Sequence, residues 1–253
     1  MRILLLLLAT LLLPDWAAAE DASNRERLFV RALDLFDAAE SPEQFREAAR
    51  EFESILAGGF RSGAVYYNLG NAYFRAGEYG RAILNYRKAK PYLPRDPYLK
   101  ANLQQALAAA PGKLADPPTP WWSHVLFWGE WVSFPSKVVT CFLALCGAAL
   151  VMVIAVISRI SRLHWLATAL LTIGLIVGVD MVLNNAETIG NHRAVVTGET
   201  IARKGTGNSY EPAFDQPVRD GAEFQVLSVS SDWTLGRFEG IGDGWVRNEF
   251  VAR

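Results

Sequence analysis

Cysteine and histidine, two residue types that often carry catalysis or metal binding, are scarce in this chain. The 253 residues include two cysteines and three histidines. Cys141 and Cys146 lie inside an apolar run at a spacing that does not stack them on one helix face, so we interpret them as small buried or lipid-facing residues. His124, His164 and His192 have no Cys, Asp or Glu at metal-ligand spacing. We therefore expect no metal and no cofactor.

Motifs for nucleotide binding or acyl transfer are also missing from the sequence. There is no Gly-x-Ser-x-Gly elbow and no Walker loop, and Gly205-x-Gly207 is a lone glycine pair without a following helix. The formal net charge is −1 at pH 7, and no basic helix is evident, which argues against nucleic-acid binding. The sequence thus predicts a protein that is not an enzyme.

Charge is unevenly distributed along the first half of the chain. Residues 20–60 hold ten acids and five Arg, whereas residues 61–112 hold two acids and eight Lys or Arg. One interpretation is a solvated helical surface. The alternative is a basic patch in the second stretch that attracts an acidic partner.

The first nineteen residues follow the layout of a secretory signal peptide. Met1 and Arg2 precede an apolar run over 3–13, and Ala17-Ala18-Ala19 fits an A-x-A cleavage pattern. We predict a signal peptide over 1–19 that is cleaved after Ala19. An uncleaved membrane anchor is the alternative, although the apolar run is short for a span of about 20 residues.

A repeat pattern follows in which small, aromatic and aliphatic residues recur at fixed spacings. Its eight positions are Tyr66, Leu69, Gly70, Tyr73, Ala82, Tyr86, Ala89 and Pro94. The spacings are those of a tetratricopeptide repeat (TPR), in which small residues let two helices approach and a proline ends the second. Leu35, Ala48 and Phe52 mark a degraded first copy. The sequence predicts an all-α domain of TPR helical hairpins over 20–110, closed by a capping helix.

The concave face of such hairpins is the predicted protein-binding surface. By repeat spacing its residues are Tyr67, Asn68, Asn71, Phe74 and Asn102. Asn side chains can both donate to and accept from a peptide backbone, and aromatic rings can anchor it. Tyr67 stands where TPR families that clamp a terminal carboxylate carry Lys, so we expect an internal segment or a folded partner. The alternative is that these residues only solubilise the domain or pack against whatever covers this face of the array.

Residues 111–137 are predicted to form a Pro/Trp-rich linker and interfacial segment. Prolines stand at 111, 117, 118 and 120, and tryptophans at 121, 122, 128 and 131. Because indole rings prefer the headgroup region of a bilayer, this segment is expected to lead into a membrane. Packing of the rings in a protein core is the alternative.

Two apolar segments are each long enough to be a transmembrane helix. They cover 138–157 and 163–183, and the connection 158–162 carries two Arg. The positive-inside rule makes that connection a cytoplasmic loop, so both flanking domains face the outer compartment. Asp180, near the end of the second segment, is interpreted as a wetted interfacial residue. A functional acid inside the membrane is the alternative.

The remaining residues, 192–253, consist of short β-branched runs separated by turn signals. Strands are predicted at 192–197, 200–204, 223–230, 233–238 and 244–247. Five short strands in about 60 residues are typical of an all-β small barrel. Tyr210, Trp233 and Trp245 form a candidate aromatic groove, and the alternative is that the two tryptophans fill the core.

This last segment resembles a bacterial SH3 (SH3b) domain. The resemblance rests on Ala202-Arg203-Lys204-Gly205-Thr206-Gly207, Asp232-Trp233 and Gly244-Trp245-Val246, with Thr206 standing where the family often has Pro. The order of signal peptide, TPR hairpins, paired spans and SH3b domain resembles the BatE type of Bat aerotolerance proteins. That resemblance implies a multidomain membrane protein in a complex with von Willebrand factor A-domain proteins and a MoxR-type ATPase.

Two functional hypotheses follow. The leading one is a non-enzymatic scaffold or adaptor, anchored in a bacterial inner membrane by two spans, with TPR and SH3b modules on the periplasmic side that bind membrane-bound proteins. The alternative is a cell-envelope sensor whose SH3b domain binds peptidoglycan peptides. Both involve the lipid bilayer as a partner, and neither involves nucleic acid.

Overall fold

The computed structural model describes residues 16–114, 121–189 and 193–253. They form a helical domain, a pair of long apolar helices and a small β domain, in chain order. Most of the predicted signal peptide, residues 1–15, lies outside the described residues, and residues 16–19 belong to the first described helix. Residues 115–120 of the predicted linker and interfacial segment also lie outside them, as does His192.

The helical domain contains five helices joined by short loops. They are α1 (Trp16–Asp37), α2 (Pro42–Ala57), α3 (Gly63–Arg75), α4 (Tyr79–Ala89) and α5 (Pro97–Ala109). Each helix packs against the next, and the loops of a few residues make consecutive helices antiparallel neighbours. An all-helical domain was expected here, and the structure confirms helices over this stretch.

All five helices contribute to the core of this domain, and the packing of α3 on α4 within it explains the small residues of the repeat pattern. Tyr86 is 1% exposed, and its ring lies against Gly70. A Cβ on Gly70 would lie 2.6 Å from that ring, a distance that side chains do not tolerate. Leu69 and Ile83 from the same two helices belong to this buried cluster, to which Phe52 of α2 and Leu99 of α5 also contribute.

Two short turns lead into the apolar helices. They are α6 (Trp122–Val125) and a 3-10 helix (Phe127–Glu130), followed by α7 (Phe134–Ser158) and α8 (Arg162–Ile189). Within these, Phe134–Ser158 and Arg162–Leu183 are long and apolar enough to cross a membrane. α7 and α8 pack along each other, with a turn at Arg159 in the left-handed conformation (φ 54°).

The β domain is one antiparallel sheet of five strands. The strands are β1 (Arg193–Val196), β2 (Glu223–Val229), β3 (Trp233–Phe238), β4 (Gly242–Arg247) and β5 (Val251–Ala252). Their spatial order is β4-β3-β2-β1-β5.

The predicted strand over 200–204 is replaced by single bridges, from Thr200 to Val218 and from Arg203 to Trp245. Gly198, with φ 105°, turns the chain away from β1, because only glycine adopts that conformation readily. The bridge at Arg203 brings this stretch onto the free edge of β4, so the sheet curls toward a barrel.

Candidate interaction surfaces

The polar side chains on the predicted binding face bond to one another. The Tyr86 hydroxyl donates to Asn71 Oδ1 over 2.8 Å. Asn102 Nδ2 donates to the same oxygen over 2.9 Å and to the Tyr67 hydroxyl over 3.0 Å. Burial raises the pKa of Tyr86, so its hydroxyl remains a donor. This cluster joins α3, α4 and α5, and it gives Asn71 a structural role that repeat spacing did not reveal.

The other two residues predicted on this face have local contacts. Asn68 Nδ2 donates to the carbonyl of Ala64 in its own helix over 3.0 Å. The Phe74 ring packs edge-on against Tyr79 at 5.7 Å. All five predicted residues are half-buried, so each retains surface that a partner could contact. Their binding role stays a prediction.

The three aromatic residues proposed for a groove in the β domain have different environments. Tyr210 is 52% exposed, whereas Trp233 is 8% exposed and lies beneath the guanidinium of Arg247. Neither Trp233 nor Trp245 belongs to the buried cluster of this domain, which Phe224, Phe238 and Val246 dominate.

The reason is strand alternation on β3 and β4. Thr234 and Val246 face each other across the two strands and are fully buried. Trp233 and Trp245 neighbour them in sequence and therefore point to the opposite face of the sheet. On that face Trp233 is buried and Trp245 is half-buried, and a ligand at Tyr210, Trp233 or Trp245 stays a prediction.

The β domain docks on α4, at a surface that sequence analysis did not predict. The Asp220 carboxylate accepts hydrogen bonds from the Gly80 amide, at 3.2 and 3.1 Å, and from the Gly198 amide at 3.2 Å. Gly80 lies in the first turn of α4, whose own N-cap residue, Glu78, makes no side-chain capping bond. Asp220 thus supplies an acceptor to the helix N-terminus from the β domain.

Close backbone approach at this docking surface depends on glycine. A Cβ on Gly80 would lie 2.4 Å from the Val196 carbonyl oxygen, and one on Gly112 would lie 2.2 Å from that of Arg219. The Gly112 amide also donates to the Asp220 carbonyl over 2.9 Å. The two domains therefore meet backbone to backbone.

Charged groups extend the contact toward the end of α4. Arg87 donates to both carboxylate oxygens of Glu223, over 3.0 and 2.9 Å. Lys88 Nζ donates to the Arg253 carbonyl over 2.6 Å. Burial lowers the pKa of Lys88, and the nearby charge of Arg61 lowers it further.

A buried ion pair joins the first turn of α7 to the second half of α8. Lys137 Nζ lies 2.7 Å from Asp180 Oδ2, and the two residues are 4% and 1% exposed. Lys137 also donates to the Gly129 carbonyl over 2.7 Å. The interpretation of Asp180 as a wetted interfacial residue is wrong, because Lys137 covers and pairs with it.

The helical domain is attached to the start of α7. The Phe134 amide donates to the Pro91 carbonyl over 2.7 Å, and the rings of Tyr92 and Phe134 meet at 6.5 Å. The α4–α5 loop therefore lies beside the first turn of α7. Sequence analysis gave no signal for this contact, which joins segments more than 40 residues apart.

Searches against protein-family models, curated proteins and solved structures found no match to this chain. The resemblances to TPR, SH3b and BatE-type proteins therefore stay predictions. Among residues 16–114, 121–189 and 193–253, no group of three or more His, Cys, Asp or Glu side chains could hold a metal ion.

Proposed function

We propose that this protein is a non-enzymatic scaffold, anchored in a bacterial inner membrane by α7 and α8, that presents a TPR-like helical domain and an SH3b-like β domain as one unit on the periplasmic side. The observation that carries the proposal is the attachment of each part to the next. The β domain docks on α4 through Asp220, Arg87 and Lys88, and the α4–α5 loop is bonded to the start of α7.

Which face is presented follows from where the β domain binds. In a helical-hairpin array the first helices of successive hairpins line the inner face and the second helices line the outer face. α4 is the second helix of its hairpin, so docking occupies the outer face. The inner face, with Tyr67, Asn68 and Asn102, keeps its accessible surface and is the proposed site for a membrane-bound protein, in the manner of a Bat-type complex.

A substitution at Asn68 tests the inner face without disturbing the fold. Its side chain bonds only within its own helix, so Asn68→Arg should preserve the thermal midpoint while placing bulk and charge in the contact. Recovery of partner proteins with the tagged full chain from solubilised membranes should fall roughly tenfold or more, equivalent to about 1.4 kcal/mol. Gln104→Arg, on the exposed side of α5, is the matched control and should leave recovery unchanged.

The result that would contradict this site is equal recovery with both variants. If the full chain then also bound isolated peptidoglycan, and substitution of exposed Tyr210 abolished that binding, the cell-envelope sensor would replace the scaffold.

The proposed topology has a separate test. In a chain whose Cys141 and Cys146 are changed to Ser, Asn208→Cys should react with a membrane-impermeant maleimide in intact spheroplasts, because Asn208 is exposed in the β domain. Ile160→Cys, in the turn between α7 and α8, should react only after permeabilisation. Reaction of residue 160 in intact spheroplasts would reverse the proposed orientation.

A further inference from the structure

We infer that the inner face of the helical domain binds the main chain of an extended peptide segment, through a hydrogen-bond donor on Asn71 and an acceptor on Asn102. This inference rests on the proposed function, in which the same face contacts a partner. Hydrogen bonds among α3, α4 and α5 fix the direction in which each of the two side-chain amides points.

The orientation of the two amides starts at the buried hydroxyl of Tyr86. The Tyr86 ring is almost fully buried, and burial raises the pKa of its hydroxyl, so the group keeps its proton and needs an acceptor for it. Asn71 Oδ1 accepts this hydrogen bond over 2.8 Å. The same oxygen accepts a second one from Asn102 Nδ2 over 2.9 Å, so Asn71 Nδ2 points away from both donors.

Asn102 is oriented by the same set of bonds. Its Nδ2 donates both hydrogens, one to Asn71 and one to the Tyr67 hydroxyl over 3.0 Å, so its Oδ1 points away from the cluster. Turning over one amide alone would bring two donors or two acceptors together. Turning over both would leave the Tyr86 proton without an acceptor. The cluster therefore holds the two amides in one arrangement.

The two outward atoms reach solvent. Among the side chains that the structure describes, every buried nitrogen or oxygen has a hydrogen-bond partner. Asn71 Nδ2 and Asn102 Oδ1 have none among those residues, so the two atoms must be accessible. The inner face thus offers one donor and one acceptor, on amides that are joined to each other by a hydrogen bond of 2.9 Å.

An extended peptide matches this pair of groups. In an extended strand the N–H and C=O of one residue point to the same side, and those of the next residue point to the other side. One residue can therefore bond its C=O to Asn71 and its N–H to Asn102. A helical segment has already paired these groups internally.

The surroundings of the pair favour an internal segment of the partner. Neither amide carries a charge that would attract a charged chain terminus. The rings of Tyr67 and Phe74 keep accessible surface beside the pair, and aromatic rings in such positions can anchor the side chains of a bound segment.

Binding of synthetic peptides to the detergent-solubilised full chain tests the inference. An array of short random-sequence peptides supplies the probes, and fluorescence anisotropy measures Kd for those that bind best. Each is then made again with an N-methyl group at one main-chain nitrogen at a time. Methylation of the residue that donates to Asn102 should weaken binding about fivefold or more, the factor that one hydrogen bond is worth. Methylation of either neighbouring residue should have little effect.

Asn71→Asp tests the donor directly. The substitution keeps the oxygen that accepts from Tyr86 and Asn102, and it replaces the outward donor with an acceptor that repels a peptide carbonyl. Affinity for the selected peptides should fall roughly tenfold or more, equivalent to about 1.4 kcal/mol. Gln104→Glu makes the same exchange of nitrogen for oxygen on the exposed side of α5; it is the matched control and should leave affinity unchanged.

Tyr86→Phe tests the bond that orients the amides. Without the hydroxyl, both arrangements of the amide pair are allowed, so only about half of the molecules should present the binding arrangement and affinity should fall about twofold. Tyr73→Phe removes a hydroxyl that bonds Glu53 of α2, and it should leave affinity unchanged. An equal effect of these two variants on Kd, or of Asn71→Asp and Gln104→Glu, would overturn the inference.

The peptide results also separate this inference from the proposed function. If no peptide bound, or if N-methylation had no effect at any position, an extended main chain would not be the ligand. If replacing Asn or Gln of the peptide by Ala weakened binding where N-methylation did not, the pair would bind a side-chain amide instead. In either case a fall in partner recovery with Asn68→Arg would still support the scaffold, whereas unchanged recovery would contradict both proposals.

Discussion

Asp180 and Asp220 both join separate parts of this chain, but they do so by different chemistry. Asp180 is almost fully buried and meets a full positive charge on Lys137. Asp220 is half-buried and meets amide groups at the N-terminus of α4. The first contact joins two charges in apolar surroundings, and the second places one charge on the partial charges of a helix end.

Because their chemistry differs, the two contacts should respond differently to substitution. Removing one member of a buried ion pair leaves the other charge without compensation, so a single substitution in the pair strongly destabilises the fold. A helix terminus has no charged partner that can be stranded. Its acceptor can therefore be replaced by a neutral one at small cost.

The largest effect is expected from Lys137→Met. Without the ammonium, Asp180 is left buried in the helix pair, and the cost should be about 3–5 kcal/mol. Thermal unfolding of the full chain in detergent, followed by tryptophan fluorescence, measures it. The double variant Lys137→Met with Asp180→Leu should recover most of the loss, and a double variant as unstable as the single one would show that the pair is not the cause.

An intermediate effect is expected from Gly80→Ala, which acts on the docking surface alone. The new methyl would meet the Val196 carbonyl oxygen at 2.4 Å, so the β domain must shift, at a cost of about 1–3 kcal/mol. The chain before β1 should become more sensitive to limited proteolysis. Gly58→Ala, whose Cβ makes ordinary contacts at 3.5 Å and beyond, is the control and should leave the cleavage rate unchanged.

The smallest effect is expected at Asp220 itself. Asp220→Ala loses the acceptor for the Gly80 amide and should cost about 1 kcal/mol, as for other caps. Asp220→Asn keeps an oxygen there and should be at least as stable as the wild type at neutral pH. Equal destabilisation by both changes would show that the negative charge, rather than the acceptor, holds the contact.

The pH dependence of stability, compared between the wild type and Asp220→Asn, tests the helix-end contact further. Burial, with a contribution from Glu78, raises the pKa of Asp220 above its ordinary value despite the amide bonds. The folded protein therefore binds this proton more tightly than the unfolded chain, and the contribution of Asp220 to stability falls as pH rises from about 3.9 through the raised value. The wild type should lose stability relative to Asp220→Asn across that window, and a constant difference would contradict the raised pKa.

Much of the helical domain could be predicted from sequence because its signals are local. Gly70 and Tyr86 belong to one hairpin, so a fixed spacing encodes their contact. The Asp220-Gly221 pair similarly identifies a turn from two adjacent residues, and Gly221 has φ 88° in the structure. Local spacing, however, says nothing about what the Asp220 carboxylate binds, because its partner is 140 residues away.

The pairing of Lys137 with Asp180 can be predicted from the sequence. Lys137 lies in the first turn of α7 and Asp180 in the second half of α8, so the two opposite charges lie toward the same end of the hairpin. In an antiparallel pair those positions face each other at equal depth, which favours pairing over exposure of either charge. The contact of Arg87 with Glu223 cannot be predicted from the sequence in this way, because the two residues belong neither to one repeat nor to one pair of helices.

The acceptor that Asp220 gives to α4 also has a consequence for the order in which the molecule is made. Gly80 leaves the ribosome 140 residues before Asp220, and both apolar helices are synthesised in between. During that interval the first turn of α4 lacks this carboxylate, and its outer face is uncovered. Because long-range contacts of this kind form late and slow folding, the helical domain reaches its final state only once the last domain of the nascent chain has been released and folded.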